Sequence, residues 1–276
     1  MFEDKVIPLD TWVSQFVDWL VNNYRDFFQA LKWPVEKTLN GFDAGLNAIP
    51  PVILIVVIAL IAWKFSGIRL AIFSIVTMIF VGLLGLWQDT MTTFAMVLSA
   101  VIFCTIVGVP LGICAGRSDN FQSGIRPVLD AMQTTPAFVY LVPIVMLFSV
   151  GNVAGVLATI VFALPPIIRL TSLGIRQVHP ELVEAAQAFG ATRWQVLRRV
   201  QVPLAMPTIL AGLNQTIMMA LSMVVIAALI GAGGLGSPVI LGLNTLDIGR
   251  AVIGGLGIVL MAIVLDRITQ SMAQKK

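Results

Sequence analysis

The chain has 276 residues; 58% are hydrophobic, only 11% are charged, and the mean hydropathy is +0.95. A soluble domain is roughly 45–50% apolar and about 25% charged, so a water-soluble globular enzyme, a disordered chain and a disulfide-stapled scaffold are excluded. In so apolar a chain the net charge of +3 reflects membrane topology rather than nucleic-acid binding.

The start, Met1-Phe2-Glu3-Asp4-Lys5, is acidic and no apolar core follows it, so no signal peptide is expected. From a start at Asp10-Thr11, residues 12–31 set Trp12, Phe16, Leu20, Tyr24, Phe27, Phe28 and Leu31 at helical spacing. Asp18, Asn22, Asn23, Arg25 and Asp26 fall mostly on the opposite side. Such an amphipathic helix lies in the membrane interface or packs on the protein's own spans. Residues 1–44 therefore read as an N-terminal extracytoplasmic arm, and 45–276 as an all-α transmembrane domain.

A crossing helix needs about 20 mostly apolar residues. Seven stretches qualify: 45–63, 67–87, 93–115, 129–149, 152–170, 205–231 and 249–265. Placing the N-terminus outside puts 12 of the 17 basic residues inside: Lys64, Arg69, Arg117, Arg126, Arg169, Arg176, Arg193, Arg198, Arg199, Arg267, Lys275 and Lys276. The arm keeps Glu3, Asp4, Asp10, Asp18, Asp26, Glu36 and Asp43 outside, so the N-terminus is expected out and the C-terminus in the cytoplasm. Cys104 and Cys114 lie ten residues apart in one span, about 80° around a helix and about 15 Å along it, which is out of disulfide range. Both are expected to be packing residues.

The long polar connection, residues 171–203, carries the punctuation of two short helices. Pro180 suits a first helical position and Glu181 the positive helix end. Gly190 supplies a left-handed stop, Thr192-Arg193-Trp194-Gln195 forms a capping box, and Pro203 marks re-entry into the membrane. Ala185 and Ala186, almost without side chains, let another backbone approach closely, with Glu184 beside them as a charged contact. The residues leave two readings open, a docking prong or a merely folded loop. A helix-turn-helix reading, raised by Arg193, Arg198 and Arg199, conflicts with tethering between two spans and with Glu181 and Glu184. No nucleic-acid partner is expected.

Two polar clusters interrupt the spans. Gln133-Thr134-Thr135-Pro136 puts hydrogen-bonding groups and a helix breaker into the fourth span, and Asn214-Gln215-Thr216 does the same in the sixth. Such groups face a cavity or a neighbouring helix, and with Met219 they are the expected translocation pathway. Met218 and Met223 are further gate candidates, with helix packing the plainer role. Gly231-Ala232-Gly233-Gly234-Leu235-Gly236 matches G-x-G-x-x-G but follows a membrane helix rather than a strand, so it reads as a flexible outer turn or a receptor contact, without a dinucleotide.

The sequence holds no Gly-Lys pair, hence no phosphate-cradling Walker loop, and no cofactor or metal is expected on this chain. Ion coupling would call for carboxylates or histidine within the spans. Away from span ends only Asp130 qualifies, and it reads better as a cap or a partner for Arg126. His179, the sole histidine, lies in the 171–203 connection. An ion-coupled carrier or channel is the weaker alternative.

Glu184-Ala185-Ala186, three residues, Gly190, nine residues and then Val200-Gln201-Val202-Pro203 resemble the EAA motif of ABC-importer permeases, E-A-A-x3-G-x9-I-x-L-P, with valine at both aliphatic positions. Ile7-Pro8-Leu9-Asp10-Thr11-Trp12-Val13, the Asp130–Pro143 stretch, Pro203-Leu204-Ala205-Met206-Pro207 and Leu213-Asn214-Gln215-Thr216 resemble the glycine betaine, proline betaine and choline branch, and the likeness covers nearly the whole chain. The resemblance implies the type I importer permease fold and an inner-membrane homodimer in contact with lipid. It also implies two separate ATPase subunits that carry the ATP and magnesium, and an extracytoplasmic receptor that recognises the solute. Glu181, Glu184, Ala185, Ala186, Gly190 and Pro203 would then be the surface through which ATPase closure is transmitted.

Overall fold

The computed structural model describes residues 8–274, without the side chains of Leu9, Asp10, Ala273 and Gln274. Glu3, Asp4, Lys5, Ile7, Lys275 and Lys276 lie outside the described residues. Among the described residues every regular element is helical.

The centre is a three-helix stack: α5 (Trp87–Arg117), α8 (Asn152–Arg176) and α11 (Val202–Ala228). Met91, Phe94 and Val97 of α5, Ile167 and Ile168 of α8, and Leu221 and Val224 of α11 form its buried core. Close approach is set by a glycine ladder on α5. A Cβ at Gly108 would strike Ile167, one at Gly112 would lie 2.5 Å from the Thr171 Cβ, and one at Gly116 would lie 2.8 Å from the Ile175 Cβ. The four-residue steps on both helices make α5 and α8 parallel. In lipid, where apolar burial drives little association, small residues at such an interface let backbones meet and gain dispersion contacts.

Parallel spans must be joined by a returning one, and that is α6 (Asp119–Thr134) with α7 (Ala137–Phe148), bent by 98° between them. Thr135 is extended (φ −70°, ψ 125°), as a residue before proline prefers to be, and Pro136 has no N–H to continue the helix. The expected crossing at 129–149 is therefore a broken one. Its first turns belong to the polar helix α6, which begins two residues after α5 ends.

The hairpin of α3 (Pro51–Ser66) and α4 (Ile68–Leu83), turned at Gly67 (φ +91°), packs on α13 (Ile248–Gln274) through Ala59, Ala62, Ala71 and Val264. Each hairpin helix has 16 residues, about 24 Å at 1.5 Å per residue. Between α11 and α13 lies the short α12 (Gly236–Thr245). The seven expected crossings thus fall on four long apolar helices, two bent pairs and one short apolar helix.

The aromatic helix expected at 12–31 is two helices, α1 (Leu9–Asn23) and α2 (Arg25–Ala48), broken at Tyr24. Pro8, rather than the Asp10-Thr11 start, occupies the cap of α1. Phe28 stacks edge-on against Phe148, and Val35 and Leu39 of α2 are buried against α5 and α8. Trp12, Phe16, Trp19, Phe27 and Trp33 stay exposed, a face suited to the membrane interface. α2 meets α3 at 108° and runs without interruption past residue 44.

The two ends of the bundle differ. Arg176 binds the Asp119 carboxylate at 2.6 Å and donates to the Ala115 carbonyl at 2.9 Å, bringing the ends of α5 and α8 together. Ser66 meets Ser271 and the Arg267 carbonyl. This basic end also carries the 171–203 connection. At the far end Thr92 donates to Asp43, and Gly151 N–H donates to the Ile230 carbonyl.

Candidate functional site

The connection at the basic end folds as its local signals dictate. α9 (Pro180–Ala188) starts with proline at its first position and Glu181 in its first turn, where the helix dipole favours a negative charge. It stops at Gly190 (φ +82°), whose N–H donates to the Gln187 carbonyl at 2.8 Å while Ala191 N–H reaches the Ala186 carbonyl at 3.0 Å. That is a Schellman closure, and glycine supplies the left-handed residue at no steric cost.

α10 (Arg193–Val196) opens on the expected capping box. Gln195 N–H donates to Thr192 Oγ1 at 3.3 Å, and Thr192 N–H donates to Gln195 Oε1 at 2.8 Å. It continues into α11 without a loop, through a π turn at Leu197–Gln201 in which Val202 N–H donates to the Leu197 carbonyl. Pro203 explains the wider turn, because its ring would clash with the carbonyl of Arg199 in a regular α-helix.

The result is a capped helix pair that projects from the bundle. None of the α9 side chains is buried; Glu181, Glu184 and Ala185 are exposed and Ala186 is half-buried. Phe189 is 93% exposed, an apolar ring standing free at the tip. Sequence reasoning passed over it, although an aromatic residue immediately before a left-handed stop cannot tuck under its own short helix. Phe189, Gly190, Ala191, Gln195 and Arg199 line a small groove between α9 and the π turn. Pro203, also exposed, sits where the projecting part joins the bundle.

The two polar clusters are not equivalent. Gln133, Thr134, Thr135 and Pro136 occupy the α6–α7 break, partly or fully exposed, and among the described residues the three polar side chains have no hydrogen-bond partner. Asp130, one turn earlier, is held by Arg169 of α8 at 2.6 Å and by Arg126 only at 3.9 Å. Its main partner is thus the residue on the neighbouring helix, and it sits near the end of α6 rather than at a helix start.

On α11, Asn214 is hydrogen-bonded to residues of α13. Its Nδ2 donates to Asp266 Oδ1 at 3.0 Å, and Thr269 donates to its Oδ1. Gln270 Nε2 fills both Asp266 oxygens, at 2.7 and 2.9 Å. Asn214 is therefore part of a polar clamp between α11 and α13. Gln215 and Ser222 are exposed, Met219 and Met218 half-buried, and Met223 is buried among α7 and α8 residues. Gln215 and Ser222 are exposed at helical spacing on one face, with Met219 between them packed in part against the core.

The glycine-rich segment at the far end is bolted down. Gly233 N–H donates to Asn152 Oδ1 at 2.6 Å and Leu235 N–H to Thr93 Oγ1 at 2.9 Å. Ala232, Leu235 and Gly236 are buried. A Cβ at Gly234 (φ +81°) would lie 2.5 Å from Thr93 Oγ1, and one at Gly236 would strike the Val224 carbonyl. These glycines permit close packing; the segment is a joint between α11, α5 and α8.

Comparison with known proteins agrees with this architecture. The family model described as "Binding-protein-dependent transport system inner membrane component" matches residues 108–276. The glycine betaine/proline betaine transport system permease protein ProW of Escherichia coli strain K12 is 55% identical over 99% of this chain and 77% of its own length. The glycine betaine transport system permease protein OpuAB of Bacillus subtilis strain 168 is 46% identical, covering 98% of this chain and 96% of its own. An inward-facing structure of the MetNI methionine ABC transporter shares the fold at TM-score 0.60 and 21% identity, over 66% of this chain and 91% of that one. The chain belongs to the binding-protein-dependent family of ABC-importer permeases, multi-pass components of the inner membrane that work with a separate ATPase and a substrate-binding protein.

Proposed function

We propose that this permease passes small quaternary ammonium solutes, glycine betaine, proline betaine or choline, handed to it by an extracytoplasmic receptor. The named solutes of its relatives support the first two. Two copies would form the pathway, with two ATPase subunits supplying ATP and magnesium. The face carrying Gln215, Met219 and Ser222 and the exposed break at Gln133–Pro136 are surfaces that a second copy would cover. The basic end would face the cytoplasm and the arm the outside, in keeping with the clustering of Arg117, Arg126, Arg176, Arg193, Arg198 and Arg199 at one end.

The observation that carries the reading is the projecting helix pair. Glu181, Glu184, Ala185, Ala186 and Gly190 form a rigid surface, Phe189 a ready anchor, and Pro203 the junction with a crossing helix. Closure of the ATPase would push this prong, and the absence of a loop between α10 and α11 would pass the movement into the membrane. An ion-coupled carrier has less support, since Asp130 is engaged by Arg169 and Asp266 is saturated by Asn214 and Gln270.

The test is reconstitution with the ATPase and receptor. Glycine betaine uptake should require ATP and both partners. Ala186→Arg and Phe189→Ala should each lower receptor-stimulated ATPase activity about tenfold or more, the effect of losing roughly 1.4 kcal/mol at a docking hot spot, with the melting temperature unchanged. Solute accumulation by this polypeptide alone, driven by an ion gradient, would refute the reading.

A further inference from the structure

At the basic end a cleft of about 880 Å³ opens between the last turns of α5, the start of α6 and the π turn. It lies on the opposite face of the α10–π segment from the groove beside Phe189: Trp194 and Arg198 face it, whereas Gln195 and Arg199 face α9. Its lining changes character with depth. Arg117 and Arg198 stand at the mouth, and below them the wall is apolar, down to Ile113 and Pro110 of α5 and Val202 of α11. Pro110 lies seven residues before Arg117, about 10 Å deeper along the helix axis. With this end at a membrane surface, that depth would run from headgroup level into hydrocarbon.

The charges at the mouth are unanswered. No carboxylate lines the cleft, and among the described residues neither Arg117 nor Arg198 has an ion-pair partner. Asp119, the nearest acid in sequence, is committed to Arg176 at 2.6 Å. Trp194 is 64% exposed at the rim, where an indole ring suits the boundary between apolar tails and water.

We propose that this cleft is a binding site for one acidic phospholipid, its phosphate held between Arg117 and Arg198 and an acyl chain laid along Pro110, Ile113 and Val202. Two guanidinium groups provide planar donors matched to phosphate oxygens. A lipid can engage both the arginines and the apolar wall at once, whereas a free anion meets only the arginines at the rim. Seated there, the lipid wedges the π turn against α5 and fixes the root of the projecting helix pair. The site requires only that the chain spans a bilayer, so its test is independent of which solute is carried.

The test uses the full chain in nanodiscs of phosphatidylcholine carrying a minor fraction of brominated lipid. Bromine quenches a nearby indole, and the Trp194 signal is obtained by subtracting the emission of Trp194→Phe. Brominated phosphatidylglycerol should quench Trp194 as though enriched roughly tenfold or more over brominated phosphatidylcholine, given the attraction of two basic side chains near the surface. Arg117→Gln with Arg198→Gln should abolish the preference, and Arg117→Lys with Arg198→Lys, which keeps the charge but not the planar donors, should retain only part of it. Equal quenching by both lipids would overturn the proposal, as would a preference that survives the double glutamine change. Displacement by inorganic phosphate would mark a free-anion site instead. Loss of quenching when the ATPase subunit is added would mark a protein contact.

Discussion

Gly112→Ala isolates the principle that holds the central stack together. The added methyl would lie 2.5 Å from the Thr171 Cβ and 2.8 Å from the Ile168 carbonyl oxygen. Carbon atoms rest about 3.5–4.0 Å apart at optimal contact, so α5 and α8 must separate by roughly 1 Å. Neither neighbour can rotate aside, one being a backbone oxygen and the other a Cβ. Overpacking of this kind costs about 1–3 kcal/mol, against a gain of about 1 kcal/mol in helix propensity from replacing glycine.

Gly124→Ala is the matched control: it lies in α6 with nothing within 4 Å of its would-be Cβ and receives only the propensity gain. The gap between the two variants should be about 1–3 kcal/mol, or very roughly 2–12 °C in melting temperature at about 2–4 °C per kcal/mol. Both melting curves are measured on purified protein in the same detergent. Gly108→Ala should fall between them, because its obstruction is a side-chain methyl of Ile167. Should Gly112→Ala and Gly124→Ala shift together, close backbone approach is not what joins α5 to α8.

The polar clamp and the far joint give further expectations. Asn214→Leu removes the donor to Asp266 and should lower stability by about 0.6–1.7 kcal/mol, the range for interhelical hydrogen bonds in membranes; an unchanged unfolding midpoint would refute the clamp. Gly234→Ala, left-handed and blocked by Thr93, should prevent stable assembly, whereas Gly233→Ala, whose Cβ would sit 3.4 Å from Asn152 Oδ1, should be tolerated; size-exclusion chromatography separates the outcomes. Cys114 is exposed and Cys104 buried, so maleimide should label native protein once, and labelling of Cys104 before denaturation would contradict the packing of α5 on α8.

How far the sequence reaches depends on how local the determinant is. The α9–α10 pair was legible because Pro180, Gly190, Thr192 and Gln195 act within a few residues of themselves. The break at Thr135-Pro136 was legible for the same reason, but not the 98° turn it allows, since hydropathy counts length and carries no direction. Asn214 read as pathway because its partner stands 52 residues further on, and Asp266 looked like a residue beyond a span's end. The glycine-rich segment read as flexible because Thr93 and Asn152, which pin it, are remote in the chain. The Gly108–Gly112–Gly116 ladder was in plain view at four-residue spacing, but spacing alone does not name the helix that fills it.

The widened turn at Leu197–Gln201 holds one residue more than a regular helix of the same height. Excising that residue would let the turn rewind to 3.6 residues while the segments on either side keep their height and phase. The obstacle is Pro203, whose ring would then meet the carbonyl four residues before it. A proline on the crossing helix therefore dictates how many residues the shaft beneath the projecting head must contain.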